Sequence, residues 1–324
     1  MTHLSRRSTL GLLGAFAAAP AFADTFPSRP IKIVVPQAPG GNSDTFGRIL
    51  GQKLGERIGQ QAFVENKPGA GGTLGSSIVA KAPADGYTIL VADNGTHAIA
   101  PTLYGAKLQY DVFRDFTPIM LAATFPTVIM MHPSVPAKNV QEFVALVKSQ
   151  PGKLTYASAG TGNGSHLTVE MFKKAAGGLD MVHVPYKGGA PAIQAILAGD
   201  VQACAVSVNT SLPHIQSGKV KALGIASSER SPALPDVPTF IESYIPFSAD
   251  SWLALMGPAG IPDDVVATLN REIAATLNAP DTRKRLADIG LKVIAGTPAD
   301  MASLLKSEVP KWGEAVKESG ATAE

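Results

Sequence analysis

The sequence repeats one local pattern four times: a short apolar strand, a turn containing glycine, and a helix with an apolar stripe. The first copy joins the β-branched run Ile31–Val35 to a turn at residues 36–41, and a helical apolar spacing follows. The other three turns occupy residues 68–72, 158–164 and 185–189. Strand and helix patterns that alternate in this way indicate an α/β fold with a parallel sheet.

The four copies form two pairs, because a further strand follows each second copy. Residues 87–92 and 201–208 are these closing strands, and a turn at Asp85-Gly86 or Gly199-Asp200 comes before each. We therefore predict two similar βαβαβ units that aim helix N-termini at the carboxyl ends of their strands. Ligands of open parallel sheets bind at that edge, and two such edges facing each other would form a cleft.

Two apolar stretches are interpreted as the connections between the predicted units. Residues 116–131 form the first crossing and residues 248–257 the return. Between these landmarks, residues 93–115 are expected to be irregular and residues 211–217 to form a short helix or turn. The predicted domains are a discontinuous first domain, residues 24–124 plus 246–324, and a second domain, residues 125–245.

The first 23 residues are interpreted as a signal peptide. Arg6-Arg7 form the charged start, residues 10–19 the apolar run, and residues 21–23 a small-x-small site that predicts cleavage after Ala23. The apolar run is too short for a membrane span. Secretory and twin-arginine export both stay open, because Thr9 lies where the twin-arginine signal prefers an aromatic residue.

Charge and cysteine content exclude several classes of interaction. The chain has 28 basic and 26 acidic residues, and removal of the signal peptide takes Arg6 and Arg7 and no acid, leaving 26 of each. A neutral mature chain has no global basic field for nucleic acid, so any recognition of an anion must be local. Cys204 is the single cysteine and lies in an apolar strand pattern, so no intramolecular disulfide can form.

Short motifs in and around the turns occur in a specific order. They are P-S-R-P-I at 27–31, A-P-G-G-x-x-D at 38–44, V-E-N-K-P-G-A-G-G at 64–72, D-G-Y-T at 85–88, G-T-H-A-I at 95–99, V-P-Y-K-G at 184–188 and L-P-D-V-P-T at 234–239. In this order the chain resembles the Bug family, the extracytoplasmic solute-binding receptors of tripartite tricarboxylate transporters. The resemblance covers essentially the whole mature chain.

The resemblance implies a type II periplasmic-binding-protein fold, with two doubly wound α/β domains, two crossover segments and a cleft that closes on a ligand. It implies a periplasmic receptor that captures a small carboxylate-bearing ligand, such as a dicarboxylate or an aromatic acid, for the membrane subunits of a tripartite tricarboxylate transporter. We expect a monomer without cofactor, metal, catalytic residue or nucleic-acid partner. A role as a periplasmic ligand sensor for a signalling kinase stays open, because both roles use the same closed state.

The resemblance also places the ligand contacts at the first glycine turn, the loop after the third strand and the facing turns of the second domain. Two positions are added from the stretch that follows the strand at residues 201–206. The predicted ligand-binding residues are Pro39, Gly40, Gly41, Asn42, Ser43, Asp44, Asn94, Thr96, His97, Ser158, Gly160, Thr161, Gly162, Ser165, His166, Tyr186, Lys187, Gly188, Ser207 and Asn209.

A carboxylate ligand needs several hydrogen-bond donors held in a preorganised frame. Backbone N–H groups at residues 40–43 and 160–164 could supply these donors. The hydroxyl groups of Ser158, Thr161 and Ser165 could add more.

Some of these side chains have an ordinary structural interpretation as well. Asp44 is expected to cap the first helix and not to act as a base. His166 lies in the first turn of a predicted helix, so capping or packing is an alternative to ligand contact, and the same holds for His97. Lys187 is either a ligand partner or a solvated lysine at the rim. Tyr186 either covers an apolar part of the ligand or packs against the hinge.

One departure from the family pattern bears on ligand choice. Many members carry an aspartate after the strand that matches residues 201–206, whereas this chain reads Ser207-Val208-Asn209-Thr210. An acid there could pair with a ligand ammonium, so its absence favours a plain carboxylate or aromatic acid over an amino acid. Tight binding of aspartate or glutamate, with weak binding of their deaminated analogues, would count against this hypothesis.

A hydrolase- or transferase-like α/β enzyme is the alternative from another functional class. The sequence has no Walker pattern, no H-E-x-x-H and no G-x-S-x-G, and residues 160–165 miss the dinucleotide fingerprint at its last position. Turnover of a bound acid, lost in Ser158→Ala or Ser165→Ala, would favour the enzyme.

Overall fold

The computed structural model describes residues 26–323, so the predicted signal peptide lies outside the described residues. The described strands are β1 (Ile31–Val35), β2 (Ala62–Asn66), β3 (Thr88–Asp93), β4 (Phe116–Phe125), β5 (Thr127–Met131), β6 (Thr155–Ser158), β7 (Val182–Pro185), β8 (Ala203–Ser207), β9 (Lys221–Ile225), β10 (Ser251–Pro258) and β11 (Lys292–Val293). The described helices are α1 (Asn42–Ile58), α2 (Thr73–Ala80), α3 (Ala100–Tyr104), α4 (Val140–Ser149), α5 (Gly164–Ala175), α6 (Gly189–Ala198), α7 (Val208–Gln216), α8 (Asp263–Asn278), α9 (Pro280–Asp288) and α10 (Pro298–Ser319).

The first sheet has the strand order β11-β4-β10-β3-β1-β2. Strands β2, β1 and β3 are parallel, and β10 is antiparallel to both β3 and β4. The β-branched composition of β1 suits its position, because side chains on both of its faces are buried. Ile33 belongs to one buried cluster with Phe46 of α1, and Val34 belongs to another with Val79 of α2. We call the part of the chain built on this sheet the first domain.

The second sheet has the order β7-β6-β8-β5-β9, and the part of the chain built on it is the second domain. Strands β7, β6 and β8 are parallel, and β5 is antiparallel to both β8 and β9. Both sheets therefore place a parallel βαβαβ unit beside an antiparallel strand next to a crossing. The prediction of two similar βαβαβ units in a two-domain α/β fold is confirmed.

The chain crosses between the sheets twice. Only Pro126 separates β4 of the first sheet from β5 of the second. On the return, the Ala249 N–H donates to the Ala226 carbonyl (2.8 Å), which ties the connection between β9 and β10 to the end of β9. The predicted domain limits at 124/125 and 245/246 lie close to these crossings, and the limits themselves stay a prediction.

One hydrophobic cluster continues from one domain into the other. It contains Phe172 of α5 and Phe240 from the second domain, and Trp252 of β10 and Trp312 of α10 from the first. Lys174 of α5 also forms an exposed ion pair with Glu314 of α10 (2.6 Å). The C-terminal helix therefore contacts both domains beside the crossings.

Two local predictions were wrong in part. Residues 93–115 were expected to be irregular, but a π-helical turn, Gly95–Ile99, leads directly into α3. Pro101 lies in the first turn of α3, where its missing N–H is not needed. The helix expected at residues 211–217 begins earlier, at Val208, directly after the N-cap residue Ser207. Within residues 26–323, no helix is both long enough and apolar enough to span a bilayer.

Candidate ligand-binding cleft

The first-domain turn, residues 39–44, presents a helix N-terminus without a side-chain cap. The N-cap residue of α1 is Gly41, whose backbone is extended and which has no side chain to accept a hydrogen bond. In the described part of the chain, no acceptor is found for the N–H groups of Asn42 and Ser43. These two amides are therefore available to an anion, and the positive end of the helix dipole favours one.

Asp44 lies beneath this turn and fixes its shape. Its carboxylate accepts hydrogen bonds from the Gly40 N–H (2.9 Å), the Asn66 amide (2.9 Å) and Arg48 (3.1 Å). Burial alone would raise the pKa of Asp44, but the hydrogen bonds from Arg48, Gly40 and Asn66 outweigh it and hold the pKa below its usual value. Asp44 is therefore ionised and occupied by protein donors, but the expectation that it caps α1 is wrong, because the N-cap residue is Gly41 and Asp44 instead accepts from the Gly40 N–H before the helix. The expectation that the Gly40 amide would be a free donor is wrong.

The loop after β3 places Thr96 and His97 inside the first domain. Both are 0% exposed, so neither offers surface to the cleft in this structure. The Thr96 hydroxyl lies 2.9 Å from the Asp93 carboxylate and 2.9 Å from His97 Nδ1. The His97 ring packs between Tyr110 and Phe116, with ring centroids 5.7 and 4.7 Å away. Burial lowers the pKa of His97 to about 3, so the imidazole is neutral.

The same loop meets the second domain across the cleft. A Cβ atom added at Gly162 would lie 2.6 Å from Leu103 of α3, closer than real Cβ atoms approach. A Cβ atom added at Gly164 would lie 3.5 Å from the Asn94 amide nitrogen. The glycine turns of the two domains therefore share one gap, and the second turn approaches closely because residue 162 has no side chain.

The second-domain turn, residues 158–165, uses most of its own donors. The Ala159 N–H donates to Ser165 Oγ (2.9 Å), the Gly160 N–H to Ser158 Oγ (3.2 Å) and the Gly162 N–H to His166 Nδ1 (3.1 Å). The Asn163 N–H also donates to the Gly160 carbonyl (3.2 Å), so the expectation that all amides of residues 160–164 are free donors is wrong for Gly160, Gly162 and Asn163. Thr161 and Asn163 are the exposed residues of this turn.

Two of the predicted side chains lie beneath the second-domain turn. Ser158 is 0% exposed and its Oγ lies 2.6 Å from His183 Nε2. His166 is 4% exposed and its ring stacks on that of His183, with centroids 3.9 Å apart. His183 was not singled out in the sequence, because it lies in a short strand pattern far along the chain from Ser158.

The turn between β7 and α6 completes the second-domain side. The Tyr186 N–H donates to the Ser158 carbonyl (3.0 Å) and the Gly188 N–H to the Ala159 carbonyl (3.2 Å), so this turn is fastened to the previous one. No side chain caps α6, and Cβ atoms added at Gly188 or Gly189 would meet open space. Lys187 is exposed.

Asn209 connects the two domains directly. Its amide nitrogen donates to the Ile289 carbonyl (2.8 Å) and lies 3.3 Å from the Asn42 Oδ1 atom of the first-domain turn. A Cβ atom added at Gly290 would lie 2.6 Å from the Asn209 Cβ atom. The nearby Ser207 hydroxyl pairs with Thr210 (2.6 Å). The contact with residues 289–290 had no signal in the sequence.

The turn after β2, residues 68–72, lies at the same sheet edge but was not among the predicted contacts. Ala70 and Gly71 are exposed there, and a Cβ atom added at Gly71 would lie 3.0 Å from the Tyr104 hydroxyl. Its glycine pattern matches that of the other three turns, so the sequence could have indicated this turn as a candidate ligand contact.

Two surface concavities of the described chain lie away from this cleft. Surface concavities of about 570 and 410 Å³ lie beside α4 and beside the contact of α5 with α10, away from the glycine turns. Within residues 26–323, no three His, Cys, Asp or Glu side chains are grouped as metal ligands. The glycine turns remain the place where backbone donors meet open space.

Comparison with known proteins agrees with this geometry. The family model described as "Tripartite tricarboxylate transporter family receptor" matches residues 46–321. Protein BugT of Bordetella pertussis is 35% identical to this chain over 327 residues, which cover 99% of this chain and 98% of BugT.

Two solved structures from Rhodopseudomonas palustris are also similar. Rpa4515 with adipate is 31% identical with a TM-score of 0.80, and the match covers 92% of this chain and 99% of Rpa4515. MatC (Rpa3494) with bound malate is 37% identical with a TM-score of 0.77, and the match covers 90% of this chain and all of MatC (100%). The chain therefore belongs to the tripartite tricarboxylate transporter receptor family, which includes the Bug proteins.

Proposed function

We propose that this protein is a periplasmic solute-binding receptor that captures a small carboxylate in the cleft between its two sheets. The captured ligand is passed to the membrane subunits of a tripartite tricarboxylate transporter. The observation that carries the proposal is the uncapped N-terminus of α1, whose amides at Asn42 and Ser43 have no protein acceptor and whose Asn42 side chain lies 3.3 Å from Asn209 of the second domain.

The first-domain turn provides the anchor for the ligand carboxylate. Hydrogen bonds from a neutral amide to a charged oxygen contribute about 1.5–3 kcal/mol each, so a few could account for micromolar affinity, about 8 kcal/mol, after ordering costs. Preorganisation lowers these costs. Asp44 preorganises the turn by accepting a hydrogen bond from the Gly40 N–H, and Arg48 and Asn66 donate to the same carboxylate.

The second domain closes on the other end of the ligand. Thr161, Tyr186, Lys187 and the open amide end of α6 at Gly189 lie on the exposed side of its turns. Several other predicted side chains are buried and stabilise the turns without contacting the ligand. They are Asp44 in the first-domain turn, Thr96 and His97 in the loop after β3, and Ser158 and His166 at the second-domain turn.

The ligand is a plain organic acid, with dicarboxylates as the first candidates. The relatives Rpa4515 and MatC hold adipate and malate. Two acidic residues beside the first-domain turns, Asp44 and Asp93, are already occupied, since Asp44 accepts from Arg48 and Asp93 accepts from Gln37 (2.5 Å). Neither is free to pair with a ligand ammonium, which agrees with the absence of an aspartate at residues 207–210 and disfavours amino acids.

Cellular placement and partners follow from the family. Family members are periplasmic receptors that work with transporter membrane subunits. For this chain we further propose cleavage after Ala23 and a monomeric receptor. A sensing role beside a signalling kinase would use the same closed form.

The hydrolase- or transferase-like alternative has less support from the geometry. Ser158 is 0% exposed and its hydroxyl is hydrogen-bonded to His183, so a substrate cannot reach it in this conformation. The Ser165 hydroxyl accepts the Ala159 N–H and donates within the turn to Asn163. Both hydroxyls stabilise the turn and are poorly placed as nucleophiles.

The proposal is tested by a thermal-shift and calorimetry screen of the mature protein against malate, adipate, longer dicarboxylates, aromatic acids, aspartate and glutamate. A ligand that binds only the folded state raises the melting temperature by mass action. We expect at least one plain acid to raise it in a concentration-dependent way and to be recovered chemically unchanged. Consumption of the acid, or binding of aspartate in preference to its deaminated analogues, would contradict the proposal.

A further inference from the structure

Two stacked imidazoles lie directly beneath the second-domain turn. His166, in the first turn of α5, and His183, on β7, have ring centroids 3.9 Å apart and an interplanar angle of 15°. Each bonds to the turn, because His166 Nδ1 accepts the Gly162 N–H (3.1 Å) and His183 Nε2 lies 2.6 Å from Ser158 Oγ. Ser158 Oγ in turn accepts the Gly160 N–H (3.2 Å).

We propose that His166 and His183 are positioning residues that hold the second-domain turn in its ligand-binding shape through these two hydrogen bonds, and that the bond from Gly162 persists only while the His166 ring is neutral. This inference rests on the proposed function, since it assumes that the second-domain turn closes on the ligand. Neither imidazole contacts the ligand. Both act through the backbone of residues 158–162.

The hydrogen bond to Gly162 defines the protonation state of His166. Nδ1 must offer a lone pair to the Gly162 N–H, so the neutral ring carries its proton on Nε2. Protonation of Nδ1 would point one N–H at another and break the bond. Gly162 also has a positive φ of 72° and lies against Leu103 of α3, so a shift of this residue changes the contact between the domains.

The charged groups around the pair do not offer a partner to an imidazolium ion. Glu170 of α5 already accepts a hydrogen bond from Tyr156 of β6 and pairs with Lys173 (2.7 Å). The Lys173 ammonium also lies 5.4 Å from the centre of the Tyr156 ring. Glu170 is thus already paired with other donors, and Lys173 adds a positive charge beside the stack.

The expected pKa values agree with this arrangement. Burial, with a smaller contribution from His183, lowers the pKa of His166 to about 4 against an opposing effect of Glu170. Burial also lowers the pKa of His183, against a smaller opposing effect of Glu170. Both rings are therefore neutral at neutral pH, and the positioning bonds are intact there.

The test begins with ligand-free protein, so that it does not depend on the ligand. The amide resonances of Gly160 and Gly162 and the ring resonances of both histidines are followed by NMR from pH 7 to pH 3.5. We expect the Gly162 amide and the His166 ring to titrate together with a midpoint near 4. A Gly162 amide that stays unchanged while His166 titrates, or a His166 ring protonated on Nδ1 at neutral pH, would overturn the proposal.

The second part of the test is rescue by uncharged analogues, measured at pH 7 with malate and adipate as probes. His166→Asn keeps an acceptor near the Nδ1 position, and His183→Gln keeps a polar atom near the Nε2 position. We expect His166→Asn and His183→Gln to bind within about twofold of wild type. His166→Phe and His183→Phe keep the ring stack but lose the hydrogen bonds to Gly162 and Ser158. Losing one neutral hydrogen bond should weaken binding about three- to tenfold.

The positioning role and the proposed function can fail independently. Equal affinities of the Phe and the amide variants would overturn the positioning role, provided that near-ultraviolet circular dichroism shows every variant folded. His132→Gln, a matched change elsewhere in the second domain, should leave the affinity unchanged. If neither acid binds wild type, the acid selected by the screen replaces them as the probe, and the NMR titration still decides whether the imidazoles control the turn.

Discussion

The two glycine turns that face each other across the cleft are built in different ways. The first-domain turn leaves the Asn42 and Ser43 amides without acceptors and is held from below by the Asp44 carboxylate. The second-domain turn binds most of its own amides with side chains, including Ser165 and His166. One turn offers donors to an anion, and the other provides a fixed surface that closes over it.

This difference suggests how one repeated pattern serves two tasks. A helix N-terminus attracts an anion only when its amides are not already satisfied. In the proposed receptor, the first domain is therefore the anchor, and the second domain determines how closely the cleft can shut.

Acidification should disturb the second-domain turn before the first. The pKa of His166 is about 4 in the folded protein against an ordinary value of 6.5, so the unfolded chain binds this proton more readily. Stability is therefore lost as the pH falls from about 6.5 to about 4, by on the order of 2–3 kcal/mol from His166 alone. Asp44 behaves in the same direction, since its pKa is also lowered, but its contribution is lost only below the ordinary aspartate value of 3.8.

Urea unfolding at pH 7 and pH 4.5 measures this loss, and His97 should add to it because its pKa is lowered to about 3. His166→Asn should lose less stability on acidification than wild type by the amount attributed to His166. An equal loss in both proteins would contradict the assigned pKa.

Asp44→Ala should remove the support of the first-domain turn. The Gly40 N–H, Arg48 and Asn66 would all lose their acceptor, and we expect a loss of about 3 kcal/mol in the free energy of unfolding. Ligand affinity should fall by more than tenfold, because the turn is no longer preorganised. Urea unfolding and calorimetry measure the two effects.

Asp288→Asn is the matched control for that variant. Asp288 pairs with Lys284 at i,i+4 on an exposed surface, so its loss should change stability by less than about 0.5 kcal/mol. An Asp44→Ala variant that bound ligand as tightly as wild type would show that the Asp44 carboxylate is not needed to hold the anchor.

Gly162→Ala should hold the cleft partly open. The new Cβ would lie 2.6 Å from Leu103 at a φ of 72°, and we expect about 1–2 kcal/mol of strain and an affinity loss of about tenfold. Adding Leu103→Ala should restore part of the affinity by making room, while the backbone strain persists. No recovery in the double variant would mean that the two domains do not meet at this contact when ligand is bound.

Asn209→Ala should have the smallest effect. It removes the hydrogen bonds to Ile289 and Asn42 that connect the domains, and a loss of about 1 kcal/mol corresponds to roughly fivefold weaker binding. Calorimetry with the ligand selected by the screen measures it. Asn278→Ala, which removes a surface hydrogen bond to Arg283, should bind as wild type. Tighter binding by Asn209→Ala would show that this contact opposes closure.

Much of the fold could be predicted because its determinants are local. The β-branched run of β1 and the glycine turn that follows fix one strand–turn–helix unit, and each later copy repeats the same short-range pattern. The helix after β3 was missed because Pro101 was interpreted as a breaker, although it lies in the first turn of α3. Proline is disfavoured within a helix and favoured at its start, and the sequence alone did not separate the two cases.

Side-chain partners were harder to predict than elements. Ser158 and His183 are 25 positions apart, and only the parallel pairing of β6 with β7 brings them together. The contact of Asn209 with Ile289 joins positions 80 apart. The glycine motif of residues 160–164 suggested free donors, but whether an amide is free depends on such neighbours. The sequence therefore predicted which turns carry backbone donors and could not tell which of their amides are available.

The most direct test is an NMR titration of the ¹⁵N-labelled mature protein with the acid that the screen selects. If a carboxylate binds the open end of α1, the Asn42 and Ser43 amide protons should move strongly downfield as hydrogen bonds to an anion form. The Gly162 amide, already bonded to His166, should move much less. Large shifts confined to the second domain, with Asn42 and Ser43 unchanged at saturation, would contradict the assignment of the anchor to the first-domain turn.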